Sequence, residues 1–143
     1  MNIAIALKLA TRVHAEQTDK VGAPYILHLF RVMNRVATEN EKIVALLHDT
    51  MEDCGVTRDD LAREGFSEEV IGAVEALTHG SGESYTDFVR RAATNPIARA
   101  VKIADLEDNM DIRRLPEVTE KDVERLRKYL KHWRMLTFAD TAR

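Results

Sequence analysis

Four residues stand out by type and position: His28, His48, Asp49 and Asp105. Each falls where the surrounding pattern is apolar. His28 lies on a stripe with Tyr25, Leu29, Val32 and Val36. His48-Asp49 follows the run Ile43-Val44-Ala45-Leu46-Leu47, which is apolar all round and reads as a buried helix. Asp105 continues a stripe of Ile97, Val101 and Ala104, and Asp108 comes next on it. Burying a lone carboxylate costs several kcal/mol unless something compensates it. A cation shared by two imidazoles and two carboxylates would do so. That donor set is hard to borderline and suits Mn²⁺, Fe²⁺, Zn²⁺ or Mg²⁺. It has no sulfur, which argues against a structural zinc site. The residues by themselves leave a second account open: hydrogen-bonded core histidines, with Asp105 paired to Lys102 one turn earlier.

The elements needed to bring these residues together are helices. Only three prolines and six glycines occur, strand-like alternation is scarce, and helical periodicity dominates. The pattern predicts eight helices, at roughly 2–18, 24–38, 41–53, 57–64, 67–78, 84–93, 96–112 and 119–137. Pro24 suits a first helical turn after Gly22. Thr57 with Asp60 reads as a capping box, and Ser67 before Glu68-Glu69 as a helix start. The segment HGSGES at 79–84 reads as a loop. The expectation is an all-α bundle of about seven to eight helices, forming one domain over residues 1–143 without repeats or linkers.

Composition narrows the function classes. Twenty-one basic against 24 acidic residues leave a net charge of -3, with no global field to hold nucleic acid. The single cysteine, Cys54, excludes an internal disulfide and fits a reducing compartment. The N-terminal MNIAIALKLATR has no leading positive charge and is interrupted by Lys8, unlike a secretory signal. No apolar run reaches the length of a membrane span. A cytoplasmic protein without nucleic-acid or membrane partners is expected.

Four stretches carry a resemblance: HAEQTDKVGAPYILHL (14–29), IVALLHDTMED (43–53), FSEEVIGAVEALTH (66–79) and VKIADLEDNM (101–110). In this order and approximate spacing the chain resembles the HD superfamily of metal-dependent phosphohydrolases. More closely, it is similar to the hydrolase domain of RelA/SpoT homologues and to small single-domain alarmone hydrolases. The resemblance implies an HD-domain helical bundle. It implies that His28, His48, Asp49 and Asp105 bind one divalent metal ion, commonly Mn²⁺. It points to Glu52 and Asp53 as catalytic residues, and to Asn109 and Lys20 as contacts to a nucleotide substrate. The reaction implied is removal of the 3′-diphosphate of guanosine 3′,5′-bis(diphosphate). The alternatives are an HD phosphohydrolase for another nucleotide or phosphate ester, and an inactive nucleotide-binding domain. With no synthetase or regulatory segment in these 143 residues, control is expected from outside them.

Several positions depart from that pattern. Asp19 stands where those hydrolases carry a basic residue, Leu106 where they carry another, Asp108 where they carry an aromatic or His, and Ile112 where they carry Thr. A very anionic substrate favours Arg and Lys. Two added acids and two lost cations are therefore expected to weaken the pocket for an alarmone. His14, following Ile3, Leu7 and Ala10, reads as a satisfied core imidazole. Tyr129 and Trp133 read as core residues rather than a base-stacking platform, and His79 and His132 match no functional position.

Overall fold

The computed structural model describes residues 2–138. Nine α-helices occur among them: α1 (Asn2–Val13), α2 (Ile26–Asn34), α3 (Glu39–Leu47), α4 (Thr50–Cys54), α5 (Arg58–Arg63), α6 (Glu68–Ala76), α7 (Tyr85–Ala93), α8 (Pro96–Asn109) and α9 (Glu120–Thr137). A single 3₁₀ turn, Ile112–Arg114, lies between the last two. The described residues contain no β-strand, only an isolated bridge between Thr18 and Pro24. The architecture is the all-α bundle expected. No described helix is long and apolar enough to cross a membrane.

Helix ends follow side-chain chemistry. Thr38, Thr57 and Thr119 each close a capping box, with Glu41, Asp60 and Asp122 as the reciprocal partners. Ser67, Ser84 and Asn95 cap α6, α7 and α8, and Pro96 occupies the first turn of α8.

Two expectations need correcting. The helix predicted over 41–53 is two helices, broken at His48-Asp49. Asp49 has left helical geometry (φ -101°, ψ 0°). The freed carbonyls find side-chain donors: His48 Nδ1 donates to Ala45 O at 2.7 Å and Thr50 Oγ1 to Leu47 O at 2.8 Å. The second correction concerns residues 14–25. The predicted first and second helices stop short of this segment, and Pro24 belongs to a tight loop rather than a first helical turn. Asp19 N donates to Ala23 O, Tyr25 N to Gln17 O, and Gly22 takes a positive φ of 85° that permits the reversal.

The core is built around α3. Ile43, Val44, Ala45, Leu46 and Leu47 are all buried, because α1, α2, α6 and α8 pack around this helix. Leu29 and Val32 of α2 and Val101 and Ala104 of α8 complete the layer that adjoins His48. A second cluster, Val89, Leu106 and Leu136, ties α7, α8 and α9 together, with Tyr129 and Trp133 packed against it. Leu46→Ala is expected to lower unfolding free energy by about 2–5 kcal/mol, measured as a drop in the denaturant midpoint at unchanged slope.

Candidate metal centre

The packing of α2, α3 and α8 converges four side chains. Ligand-type atoms of His28, His48 and Asp49 all lie within 4.8 Å of one another. Asp105 joins them from α8: its Oδ1 is 2.9 Å from His28 Nε2 and 3.5 Å from His48 Nε2. His28, His48 and Asp105 are buried, and Asp49 is half-buried. Of the four residues singled out from the sequence, three form one mutually close group, and Asp105 lies against the two histidines of that group.

One atom tests whether a cation fits there. His48 donates from Nδ1 to the Ala45 carbonyl, so in the neutral ring its lone pair is on Nε2. That Nε2 is buried and makes no hydrogen bond, although carboxylate oxygens of Asp49 and Asp105 lie 3.2 and 3.5 Å away. Buried polar atoms without partners are uncommon, and a nitrogen facing two carboxylates is an arrangement that a bound cation would satisfy. The donor set of imidazole nitrogens and carboxylate oxygens fits a divalent ion.

Protons report the same charge imbalance. Burial lowers the pKa of His28, but hydrogen bonds to Asp105 and Asp108 and the Asp105 and Asp49 charges outweigh it and push it up to about 9. His48 is also raised, with burial opposed mainly by the Asp49 and Asp105 charges. Burial alone would raise Asp105, yet the Lys102 ammonium and both imidazoles hold it well below the usual carboxylate range. Lys102 Nζ sits 3.0 Å from Asp105 Oδ2, over the faces of Tyr85 and Phe88. Without a metal, an imidazolium supplies the positive charge the acids require.

An outer layer holds these groups in place. Tyr25 donates its hydroxyl to Asp49 Oδ2. Burial and the Asp49 charge push that phenol upward, so it stays a donor. Asp108 Oδ2 is 2.7 Å from His28 Nδ1, and Arg31 donates to Asp108 Oδ1 at 2.7 Å. Asn109 Nδ2 reaches Asp105 Oδ1 at 3.4 Å. Glu52 and Asp53 are exposed on α4, which Gly55 ends with a φ of 69°. Glu52 Oε1 accepts from the His79 backbone N–H at 2.7 Å, and Asp53 accepts from Gln17 at 3.3 Å.

A cavity of about 320 Å³ adjoins His28 and Asn109 and is lined by the bases Lys20, Arg114 and Arg125, the acids Asp19, Asp111 and Asp122, and Tyr129. Burial and the charges of Arg125, Arg114 and Lys128 lower the pKa of Lys20, with Asp122 opposing them. The closest polar partner of its ammonium is the Tyr129 hydroxyl at 3.5 Å. Tyr129 thus packs with its ring on the second core cluster and presents its hydroxyl to the cavity.

The departures from the family pattern look different in three dimensions. Asp19 caps its own loop, accepting from Val21 N at 3.0 Å and Ala23 N at 2.9 Å, and it pairs with Arg114 at 3.3 Å. Asp108 is fully buried and matched by Arg31 and His28. Leu106 is buried in the second core cluster, and Ile112 lines the cavity as an exposed apolar residue, with Asp19 also on the cavity wall. The added acids are neutralised internally and do not confront a ligand as free charges. His14 bonds to Gln17 and contacts Cys54, and His132 bonds to Lys128 O and Thr86, as structural imidazoles do. Sequence reasoning missed Arg31, Arg114 and Arg125; it raised the Asp105–Lys102 pair only as an alternative to a metal site, whereas the structure shows that pair beside the other candidate ligands. Arg31 lies one turn after His28, which was a usable signal; Arg114 joins the site from the 3₁₀ turn after α8 and Arg125 from α9.

The sequence profile of the HD domain matches residues 6–140. The chain belongs to the HD-domain family. It is 33% identical over 117 residues to a guanosine-3′,5′-bis(diphosphate) 3′-pyrophosphohydrolase of Aquifex aeolicus, covering 73% of this chain and 17% of that protein. It is 34% identical over 139 residues to a probable GTP pyrophosphokinase of Mycobacterium leprae, covering 87% of this chain and 17% of that protein. The chain thus spans about a sixth of the length of these relatives. Among solved structures, a metazoan ortholog of SpoT described as hydrolysing ppGpp superimposes with a TM-score of 0.75 over 94% of this chain and 84% of that one, at 22% identity, which establishes the shared fold.

Because the folded pKa of His28 lies above its ordinary value, protonation stabilises the metal-stripped protein fully below about pH 6.5 and is lost as pH rises through about 9. Thermal melts of EDTA-treated protein are expected to show a fall on the order of 2–3 kcal/mol across that interval. An unchanged melting temperature from pH 6 to 10 would contradict the charge balance described.

Proposed function

We propose that residues 1–143 act as one HD phosphohydrolase domain that hydrolyses a nucleotide with a single bound divalent cation, Mn²⁺ being the assigned metal. The substrate assigned is guanosine 3′,5′-bis(diphosphate), cleaved at its 3′-diphosphate. The observation that carries the reading is the unpartnered, buried His48 Nε2 facing Asp49 and Asp105 beside His28. The names of the bacterial relatives and of the structural neighbour support the alarmone as substrate.

In this reading His28, His48, Asp49 and Asp105 hold the ion. When bound, such an ion supplies charge to polarise a phosphoryl oxygen and to acidify a water. Glu52 and Asp53 act as proton acceptors or orient the attacking water. Water attacks phosphorus, the bond to the 3′ oxygen breaks, and that oxygen leaves with a proton while the diphosphate departs as pyrophosphate. Asn109 and Lys20 position the nucleotide, and the Lys20 ammonium on the cavity wall suits an anionic ligand. The substrate is a free small molecule of the cytoplasm, not nucleic acid or a membrane component.

Ile112 favours a second reading. An exposed apolar side chain in the cavity, where related hydrolases place a hydroxyl, suits a different nucleotide or phosphate ester.

Turnover with Mn²⁺ against a nucleotide panel separates the two readings by which substrate disappears first. Binding without product throughout the panel would instead indicate an inactive nucleotide-binding domain. Asp49→Ala is expected to lose both bound metal and activity; undiminished hydrolysis by metal-free Asp49→Ala protein would refute the mechanism. Glu52→Gln is expected to keep the metal while kcat drops by about 10²–10⁴. Equal kcat in that variant would remove Glu52 from the chemistry.

A further inference from the structure

Asp108 has a role that the acidic character of the position conceals. It lies one helical turn after Asp105 on α8, and the two carboxylates grip opposite edges of the same imidazole. Asp105 Oδ1 is 2.9 Å from His28 Nε2, while Asp108 Oδ2 is 2.7 Å from His28 Nδ1. The Asp108 side chain is itself immobilised. Arg31 donates from Nε to Oδ1 at 2.7 Å and from Nη2 to Oδ2 at 3.2 Å, a forked contact that fixes the carboxylate plane. Arg114 donates to the Asp108 backbone carbonyl at 3.1 Å and its guanidinium lies 3.6 Å from Oδ2. The side chain is fully buried, so water cannot replace either partner.

We infer that Asp108 is the positioning residue for the metal centre: by accepting the Nδ1 proton of His28 it fixes the tautomer whose Nε2 lone pair faces the cation. The inference rests on the metal reading given above. A histidine can ligate through Nε2 only if its proton is on Nδ1, and a carboxylate that accepts this proton sets both the tautomer and the ring orientation. Arg31 and Arg114 hold Asp108 aimed at His28, so the acid is spent on His28 and not on repelling an anionic substrate. The same arrangement explains how this chain tolerates an aspartate so near its cavity.

Asp108→Asn is isosteric but can present an amide N–H to Nδ1, which favours the opposite tautomer. Equilibrium dialysis with Mn²⁺ is expected to show affinity reduced about 10–100-fold relative to wild type. Asp108→Glu is expected to recover part of the loss. Circular dichroism and melting curves establish that each variant is folded. A folded Asp108→Asn protein with wild-type Mn²⁺ affinity would overturn the inference. Wild-type protein that binds no divalent ion would sink the metal reading instead, so the two failures are distinct. Should both variants unfold, long-range ¹H–¹⁵N spectra of Zn²⁺-loaded wild-type protein decide the matter. They are expected to show the His28 proton on Nδ1; a proton on Nε2 would overturn the inference.

Discussion

Two carboxylates, Asp49 and Asp105, meet two buried imidazoles where three helices cross, and everything else in the site answers the charge that this creates. Acids in a low-dielectric interior are costly unless matched. Lys102 matches part of it at 3.0 Å from Asp105. The imidazoles match more by holding protons beyond their usual range. His48 Nε2 still has no hydrogen-bond partner, so the protein's own groups leave the arrangement unfinished. A metal ion held between these groups would complete it.

The break between α3 and α4 follows from this demand. A continuous helix would place His48 and Asp49 about 100° apart around one axis. Leaving helical geometry at Asp49 lets both face the same point. The open carbonyls are closed locally by His48 Nδ1 and Thr50 Oγ1. The bond that repairs the helix end also puts the lone pair of neutral His48 on Nε2, so the local fold and the candidate chemistry share one hydrogen bond.

Around the centre, charge is sorted by depth. Acids near the cavity are consumed in caps and pairs: Asp19 by its loop and Arg114, Asp108 by Arg31 and His28, and Asp122 by Thr119. Lys20, Arg114 and Arg125 line the open volume beside Asp19, Asp111 and Asp122, but Arg114 is paired with Asp19 and Arg125 with Asp122. Lys20, whose ammonium hydrogen-bonds the Tyr129 hydroxyl instead of a carboxylate, is the cation left to meet an anion. Net charge describes the molecule at a distance, whereas recognition depends on which charges already have partners.

Periodicity alone made the helices, the buried character of α3 and the four candidate ligands legible, because burial of polar residues on apolar stripes is a local sequence property. Resemblance added Glu52, Asp53, Lys20 and Asn109, which no stripe could single out. The sequence showed the signs of Asp19 and Asp108 but not their pairing, since the sign of a residue is visible in a chain but its partners are not. Arg31 is one turn from His28, yet its pairing with Asp108 spans 77 positions. Arg114 meets Asp19 across 95 positions, and Tyr129 meets Lys20 across 109. Local pattern decides which side chains are buried. Only the closing of α2, α8 and α9 on one another decides which charges cancel, because electrostatic pairing depends on distance in space and not along the chain.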